Sequence, residues 1–269
     1  MTYAQGVVLG LVQGATEFLP VSSSGHLVLV PMVLGWRDQG LAFDAVIHLG
    51  TLGALVAYFR RELLAMLASV GRRQGGRATR RLGLLLLVST LPAGFAGLLF
   101  NRIIEEHLRL PVVVATSTIV WGLAMLAADR MSARQAPLTK SEQDLSWGQG
   151  LLVGFAQALA LIPGTSRSGI TITAGLCGGL DRPTAARFAF LLGIPITAAA
   201  GAAKTLDLLR AGIPGDERGP VVVAVLAAFG SGWAAVWFLV NYLKKNSLVP
   251  FVAYRVALGL AILALLAAR

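Results

Sequence analysis

Within the first 26 residues an amide, a carboxylate, three hydroxyls and an imidazole follow one another: Gln13, Glu17, Ser22, Ser23, Ser24 and His26. Glu17 is the only acid among the first 37 residues and lies in an apolar stretch. An ionisable group at membrane depth is costly unless paired or wetted, and it is a functional candidate by default. Gln13 stands four residues earlier, on the same face if the segment is helical. Carboxylate, hydroxyl and imidazole together supply a base, a nucleophile and a proton shuttle. A plainer reading stays open, in which Ser22 to Ser24 cap a half-helix and His26 satisfies a neighbour.

A second polar run supplies what the first lacks. It reads Pro163-Gly164-Thr165-Ser166-Arg167-Ser168-Gly169-Ile170-Thr171. Glycines let backbone N–H groups approach an anion, hydroxyls donate, and a following helix N-terminus adds its positive end. The Arg167 guanidinium adds bidentate recognition of phosphate or carboxylate. A snorkelling arginine at a helix end is the bland alternative. His48, with Asp44, begins a later apolar run and could line the same cavity.

The elements that position these residues repeat. At a constant offset of 144, seven of the 22 positions from Gln5 to His26 are identical: Gln5, Gly6, Gly10, Gln13, Ser22, Ser24 and Gly25 match Gln149, Gly150, Gly154, Gln157, Ser166, Ser168 and Gly169. Where the first copy has Glu17, Ser23 and His26, the second has Leu161, Arg167 and Ile170. One half is thus suited to acid–base or nucleophilic work and the other to holding an anion. Both stretches, 5–34 and 148–180, are interrupted by proline, glycine and serine, which is tolerated at membrane depth only in protein or against a wet cavity. They read as re-entrant or broken helices. Six further apolar runs, 41–59, 82–100, 111–128, 185–203, 221–240 and 249–267, read as spanning helices.

The expected fold is therefore all-α: a polytopic membrane protein with about six spans and two re-entrant elements, arranged as an inverted-topology repeat. The halves are 1–138 and 139–269, within one integral membrane domain. Composition agrees, with 56% hydrophobic and 13% charged residues in a chain of 269. Disordered, fibrous and disulfide-stapled classes are excluded. Cys177 is the single cysteine and is expected to be a small core residue. No basic residue precedes Arg37, so a cleavable signal peptide is not expected. The net charge of +10 does not indicate nucleic acid, because the basic residues sit in loops. Arg60, Arg61, Arg72, Arg73, Arg77, Arg80 and Arg81 share one connection, the signature of a cytoplasmic loop. The linker 129–147 and Lys244-Lys245 should share that side, with 101–110 and 204–219 opposite.

The run from Gln13 to His26 resembles the (E/Q)xxxE motif and following serine–histidine stretch of the bacterial undecaprenyl-diphosphate phosphatase family, the bacitracin-resistance type. Pro163 to Thr171 resembles the same family's PGxSRSxxT motif. The resemblance spans essentially the whole chain. It implies hydrolysis of undecaprenyl diphosphate to undecaprenyl phosphate and inorganic phosphate, recycling the lipid carrier of peptidoglycan. It implies a bacterial inner-membrane enzyme whose site opens outward, with a divalent cation, Mg²⁺ or Ca²⁺. Glu17, Ser23, His26 and Arg167 carry over as catalytic candidates. Ser22, Gly164, Ser166, Ser168, Gly169 and Thr171 carry over as substrate-binding candidates, and Glu17 with Gln13 as metal candidates. Gln13 stands where many relatives have Glu, leaving one carboxylate in that motif. The nucleophile stays open between Ser23, His26 and a metal-activated water. The partners expected are a polyprenyl diphosphate substrate and membrane lipids, with a homodimer as one candidate assembly. The competing reading is a transporter or lipid flippase.

Overall fold

The computed structural model describes residues 1–37, 40–70, 76–108, 110–139, 141–211 and 215–267. Two helices start in the same way. Thr2 caps α1 (Tyr3–Phe18) in a reciprocal capping box with Gln5, and Ser146 caps α7 (Trp147–Leu159) in the same box with Gln149. Each box satisfies two of the amides left unpaired at a helix start. Both pairs are separated by the offset of 144. Each helix then breaks, and a second short helix follows: α2 (Ser23–Leu34) after α1 and α8 (Arg167–Cys177) after α7.

The breaks are built alike. Among the described residues, Ser22 (φ 74°) and Ser166 (φ 67°) are the only non-glycine residues with positive φ. Such a conformation costs on the order of 1–3 kcal/mol and persists only where surrounding structure enforces it. Each strained serine immediately precedes the first residue of its half-helix, Ser23 or Arg167. The backbone strain thus sits beside the two residues singled out for chemistry.

The remaining helices are α3 (Gly40–Tyr58), α4 (Arg60–Val70), α5 (Arg77–Ile103), α6 (Pro111–Ser132), α9 (Arg182–Ala211), α10 (Gly215–Tyr242) and α11 (Val249–Ala267). Short π and 3₁₀ turns cover Ile104–Leu108 and Glu142–Asp144. Five helices among the described residues are long and apolar enough to cross a membrane: α5, α6, α9, α10 and α11. The chain is an all-helical, multi-pass membrane protein. The run at 41–59 falls on α3, whose apolar portion Val46–Tyr58 is shorter than those five.

Three local expectations are corrected. The basic connection is not simply a loop, because Arg60 and Arg61 begin α4 and Arg77, Arg80 and Arg81 begin α5; Arg72 and Arg73 lie outside the described residues. The segment 204–219 is largely the end of α9 and the start of α10, with 212–214 outside the described residues. Cys177 is exposed rather than core, as the last residue of the short α8, whose preceding residues Ser168 to Leu176 are buried.

Packing explains the glycines of the repeat. Gly6, Gly10 and Gly14 recur every fourth residue along α1. An added Cβ would strike the carbonyl oxygens of Pro220, Ala224 and Ala228 on α10. On α7, a Cβ on Gly154 would strike the carbonyl oxygen of Ser89 and one on Gly150 the side chain of Leu85, both on α5. Small residues let helix backbones meet closely where lipid removes the hydrophobic drive for association. α1 and α7 therefore each pack on a long span from the other half of the chain, α10 and α5 respectively, so the halves interlock. The main core lies around Phe18, Leu55, Phe188, Leu191 and Leu239. At the other end, Asp129 accepts from Arg182 and from the amide of Leu248, while Arg187 pairs with Glu62 and Glu142 at 2.8 Å each.

Candidate active site

The two breaks meet at Glu17, in the last turn of α1 and 7% exposed. Its Oε1 accepts from Arg167 Nη2 at 2.8 Å. Its Oε2 accepts from Ser23 Oγ at 2.7 Å and from Gln13 Nε2 at 3.1 Å. His48 Nε2, from α3, stands 3.4 Å from the same oxygen. Four polar side chains from four helices thus converge on one carboxylate, three of them as donors. The helical spacing of Gln13 and Glu17 works as the sequence suggests, because one turn of α1 stacks the two side chains.

Arg167 is fixed from behind. Its Nη1 donates to the carbonyl of Gly193 at 2.9 Å and to Thr197 Oγ1 at 2.5 Å, both on α9. Gly193 is required by this approach, since a Cβ there would lie 2.6 Å from Nη1. The guanidinium keeps part of its surface open, with the side chain 18% exposed. Ser23 and Arg167 are also the first residues of α2 and α8. Two helix N-termini therefore open beside the Glu17 cluster, each with amides and a positive dipole end suited to an anion.

The structure does not place every candidate on the carboxylate. His26 Nδ1 lies 2.7 Å from the carbonyl of Ser22, and its Nε2 lies 2.6 Å from the hydroxyl of Tyr254. A carbonyl only accepts, so Nδ1 carries the hydrogen and donates. In the neutral ring Nε2 is then the basic nitrogen, and Tyr254 donates to it. The two rings stack at an interplanar angle of 2°. The imidazole beside Glu17 is instead that of His48, whose Nδ1 engages the carbonyl of Asp44.

Hydroxyls of both polar runs mainly hold the loops. Ser22 Oγ pairs with Ser24 Oγ at 3.2 Å, and Ser166 Oγ with Ser168 Oγ at 3.3 Å, in corresponding positions. Ser168 Oγ reaches the carbonyl of Glu17 at 3.2 Å, tying the second loop to the first. Ser24 Oγ accepts from the amide of Gly164 at 3.2 Å, tying them again. Gly164 has φ of 90°, and a Cβ there would strike the carbonyl of Val114. Gly169 donates its amide to Ser166 Oγ at 3.1 Å. Thr171 is fully buried and turns its hydroxyl back to the carbonyl of Arg167 at 2.7 Å. Tyr254, Thr197 and Arg255 were not singled out by sequence. Arg255 carried a usable signal, as the one charge inside the apolar run 249–267.

Among the described residues, no group of three His, Cys, Asp or Glu side chains forms a protein-only metal cage. Gln13 Oε1 is nonetheless buried without a hydrogen-bond partner, beside Glu17 and Ser23. An unsatisfied oxygen next to a carboxylate and a hydroxyl fits the hard oxygen donors of Mg²⁺ or Ca²⁺, which share their coordination with water and substrate phosphate.

Comparison with known proteins was consistent along the chain. A family model described as bacitracin resistance protein BacA matches residues 6–261. The chain is similar to undecaprenyl-diphosphatase 2 of Stutzerimonas stutzeri, 49% identical over 269 residues and covering 98% of each chain. It is similar to undecaprenyl-diphosphatase of Gemmatimonas aurantiaca, 48% identical over 276 residues and covering both chains fully. A third relative, undecaprenyl-diphosphatase of Myxococcus xanthus, is 44% identical over 275 residues, covering 99% of this chain and 90% of the other.

Proposed function

The chain belongs to the bacitracin resistance protein BacA family, and from that premise we propose that it is an undecaprenyl-diphosphate phosphatase. It hydrolyses the lipid diphosphate to undecaprenyl phosphate and inorganic phosphate, returning the carrier to cell-wall synthesis. The observation that carries the mechanism is the hydrogen bond from Ser23 Oγ to Glu17 Oε2 at 2.7 Å, on a carboxylate already paired with Arg167.

In this reading the polyprenyl chain stays in lipid while the diphosphate enters between the N-termini of α2 and α8. Arg167, held by Gly193 and Thr197, binds the terminal phosphoryl group and stabilises its charge in the transition state. Ser23 Oγ attacks the terminal phosphorus as Glu17 takes its proton. The bridging P–O bond breaks, and Glu17 passes the proton to the departing undecaprenyl phosphate. Water then attacks the phosphorus of the phosphorylated serine, Glu17 takes a proton from that water and returns it to Ser23 Oγ, and phosphate departs as the serine hydroxyl is restored. His26 is the second candidate for proton movement, through its Nε2 and Tyr254. A divalent cation would be held by Glu17, Gln13 Oε1 and Ser23, and when bound it supplies charge neutralisation to the diphosphate.

Inverted repeats with broken helices also serve transporters. The asymmetry of the halves favours hydrolysis, since Glu17 and Ser23 come from one and Arg167 from the other. By resemblance, the protein resides in the bacterial inner membrane with the site opening to the outer side. Phosphate release from a polyprenyl diphosphate in detergent, where no gradient exists, tests the reading. Turnover supports the enzyme, and binding without release overturns it.

A further inference from the structure

α11 carries a fully buried arginine, Arg255, at membrane depth. Such a charge is costly to hold without compensation. Its hydrogen bonds go to carbonyl oxygens alone: Nε donates to Thr118 at 3.0 Å, Nη1 to Pro20 at 3.4 Å, and Nη2 to Gly164 at 3.1 Å and Thr165 at 3.0 Å. Pro20 and Gly164 are related by the repeat offset of 144. One guanidinium therefore bonds the corresponding carbonyl in each of the two broken loops. The Pro20 carbonyl lies just beyond the C-terminal end of α1, where the helix dipole favours a cation.

The surroundings are shaped for this side chain. A Cβ on Gly122 would lie 3.3 Å from Arg255 Nε, and one on Gly169 would lie 3.1 Å from its Nη1. Gly164 holds its carbonyl toward the guanidinium from a positive φ, and Thr118 Oγ1 donates to the same oxygen at 3.1 Å. Counting three residues on from Pro20 and from Gly164 reaches Ser23 and Arg167. The pinned carbonyls thus lie at the same remove from the two groups that must face one phosphoryl group. A lysine keeps the charge but concentrates its donors on one nitrogen, which cannot span carbonyls on both loops as the fork does.

Resting on the phosphatase reading, we propose that Arg255 is a positioning residue for the reaction: it locks the two broken loops in register and so sets the separation between Ser23 on one half and Arg167 on the other. It does so without touching the substrate.

The test uses purified full-length protein in detergent, with phosphate release from a polyprenyl diphosphate and binding of its non-cleavable methylene diphosphonate analogue. Misplacement by about 1 Å can lower rates about 100-fold, so Arg255→Lys should lower kcat by about that factor while KM and analogue binding change less than about fivefold. Residues acting through one another give non-additive effects, so in an Arg167→Lys background the further loss from Arg255→Lys should shrink to less than about fivefold. Thr118→Val, which removes only the hydroxyl sharing the Gly164 carbonyl, should give a smaller loss of kcat in the same direction. It keeps the test usable if Arg255→Lys is not recovered folded. Unchanged kcat in Arg255→Lys, or the same fold-loss in both backgrounds, overturns the proposal. Absence of phosphate release by the unmodified protein instead overturns the phosphatase reading itself.

Discussion

Glu17→Gln preserves side-chain shape and removes the charge on which Arg167, Ser23, Gln13 and His48 converge. Both carboxylate oxygens accept: Oε1 from Arg167 at 2.8 Å, and Oε2 from Ser23 at 2.7 Å and Gln13 at 3.1 Å. A carboxamide with its oxygen on Arg167 turns its NH₂ toward Ser23, whose hydroxyl must then accept and no longer faces a base. Loss of a general base costs about 10²- to 10⁴-fold, or roughly 3–5 kcal/mol of barrier. Breaking a buried ion pair by removing one partner costs about 3–5 kcal/mol of stability. That second figure is an upper bound here, because Arg167 is 18% exposed and keeps Gly193 and Thr197. The variant should fold, melt lower than the parent, and release phosphate about 10³-fold more slowly. The assay is phosphate release in detergent at saturating polyprenyl diphosphate, alongside a melting curve. A Glu17→Gln protein turning over within tenfold of the parent would refute Glu17 as the base on Ser23.

Other expectations follow from single contacts. Thr197→Val removes one of the two tethers behind Arg167 and should raise KM about fivefold, the scale of one hydrogen bond near 1 kcal/mol, as read from initial rates against substrate concentration. Tyr254→Phe deletes the donor to His26 Nε2, and turnover should fall by less than tenfold with the melting temperature nearly unchanged; a loss beyond 100-fold would mean that Tyr254 itself handles a proton. Gly10→Val forces a side chain into the Ala224 backbone, and overpacking of about 1–3 kcal/mol should lower the melting temperature by several degrees. Chelation should depress turnover and Mg²⁺ or Ca²⁺ should restore it, with Gln13→Glu requiring more chelator for the same loss because it adds a second carboxylate.

What was legible in the sequence followed from local pattern. The repeat located both broken loops, because the same capping boxes and the same strained serines recur at the same spacing. Gln13 and Glu17 could be paired from helical periodicity alone. Contacts across the fold were not legible. His26 meets Tyr254 across 228 residues, and nothing near His26 in the chain announces a phenol. His48 reaches Glu17 only because α3 packs beside α1. Arg255 is the one charge in an apolar run that otherwise reads as a span, and its partners, such as the Pro20 carbonyl 235 residues away, lie across the fold. Thr171 donates its hydroxyl to the carbonyl of Arg167, a local partner that composition does not reveal.

The most direct test is the rate of inorganic phosphate release by Ser23→Ala against the unmodified protein, both purified in detergent with a polyprenyl diphosphate. The mechanism predicts steady turnover by the parent and a loss of at least about 10³-fold in the variant. A Ser23→Ala protein within about tenfold of the parent would contradict the assignment of Ser23 as the group attacking phosphorus.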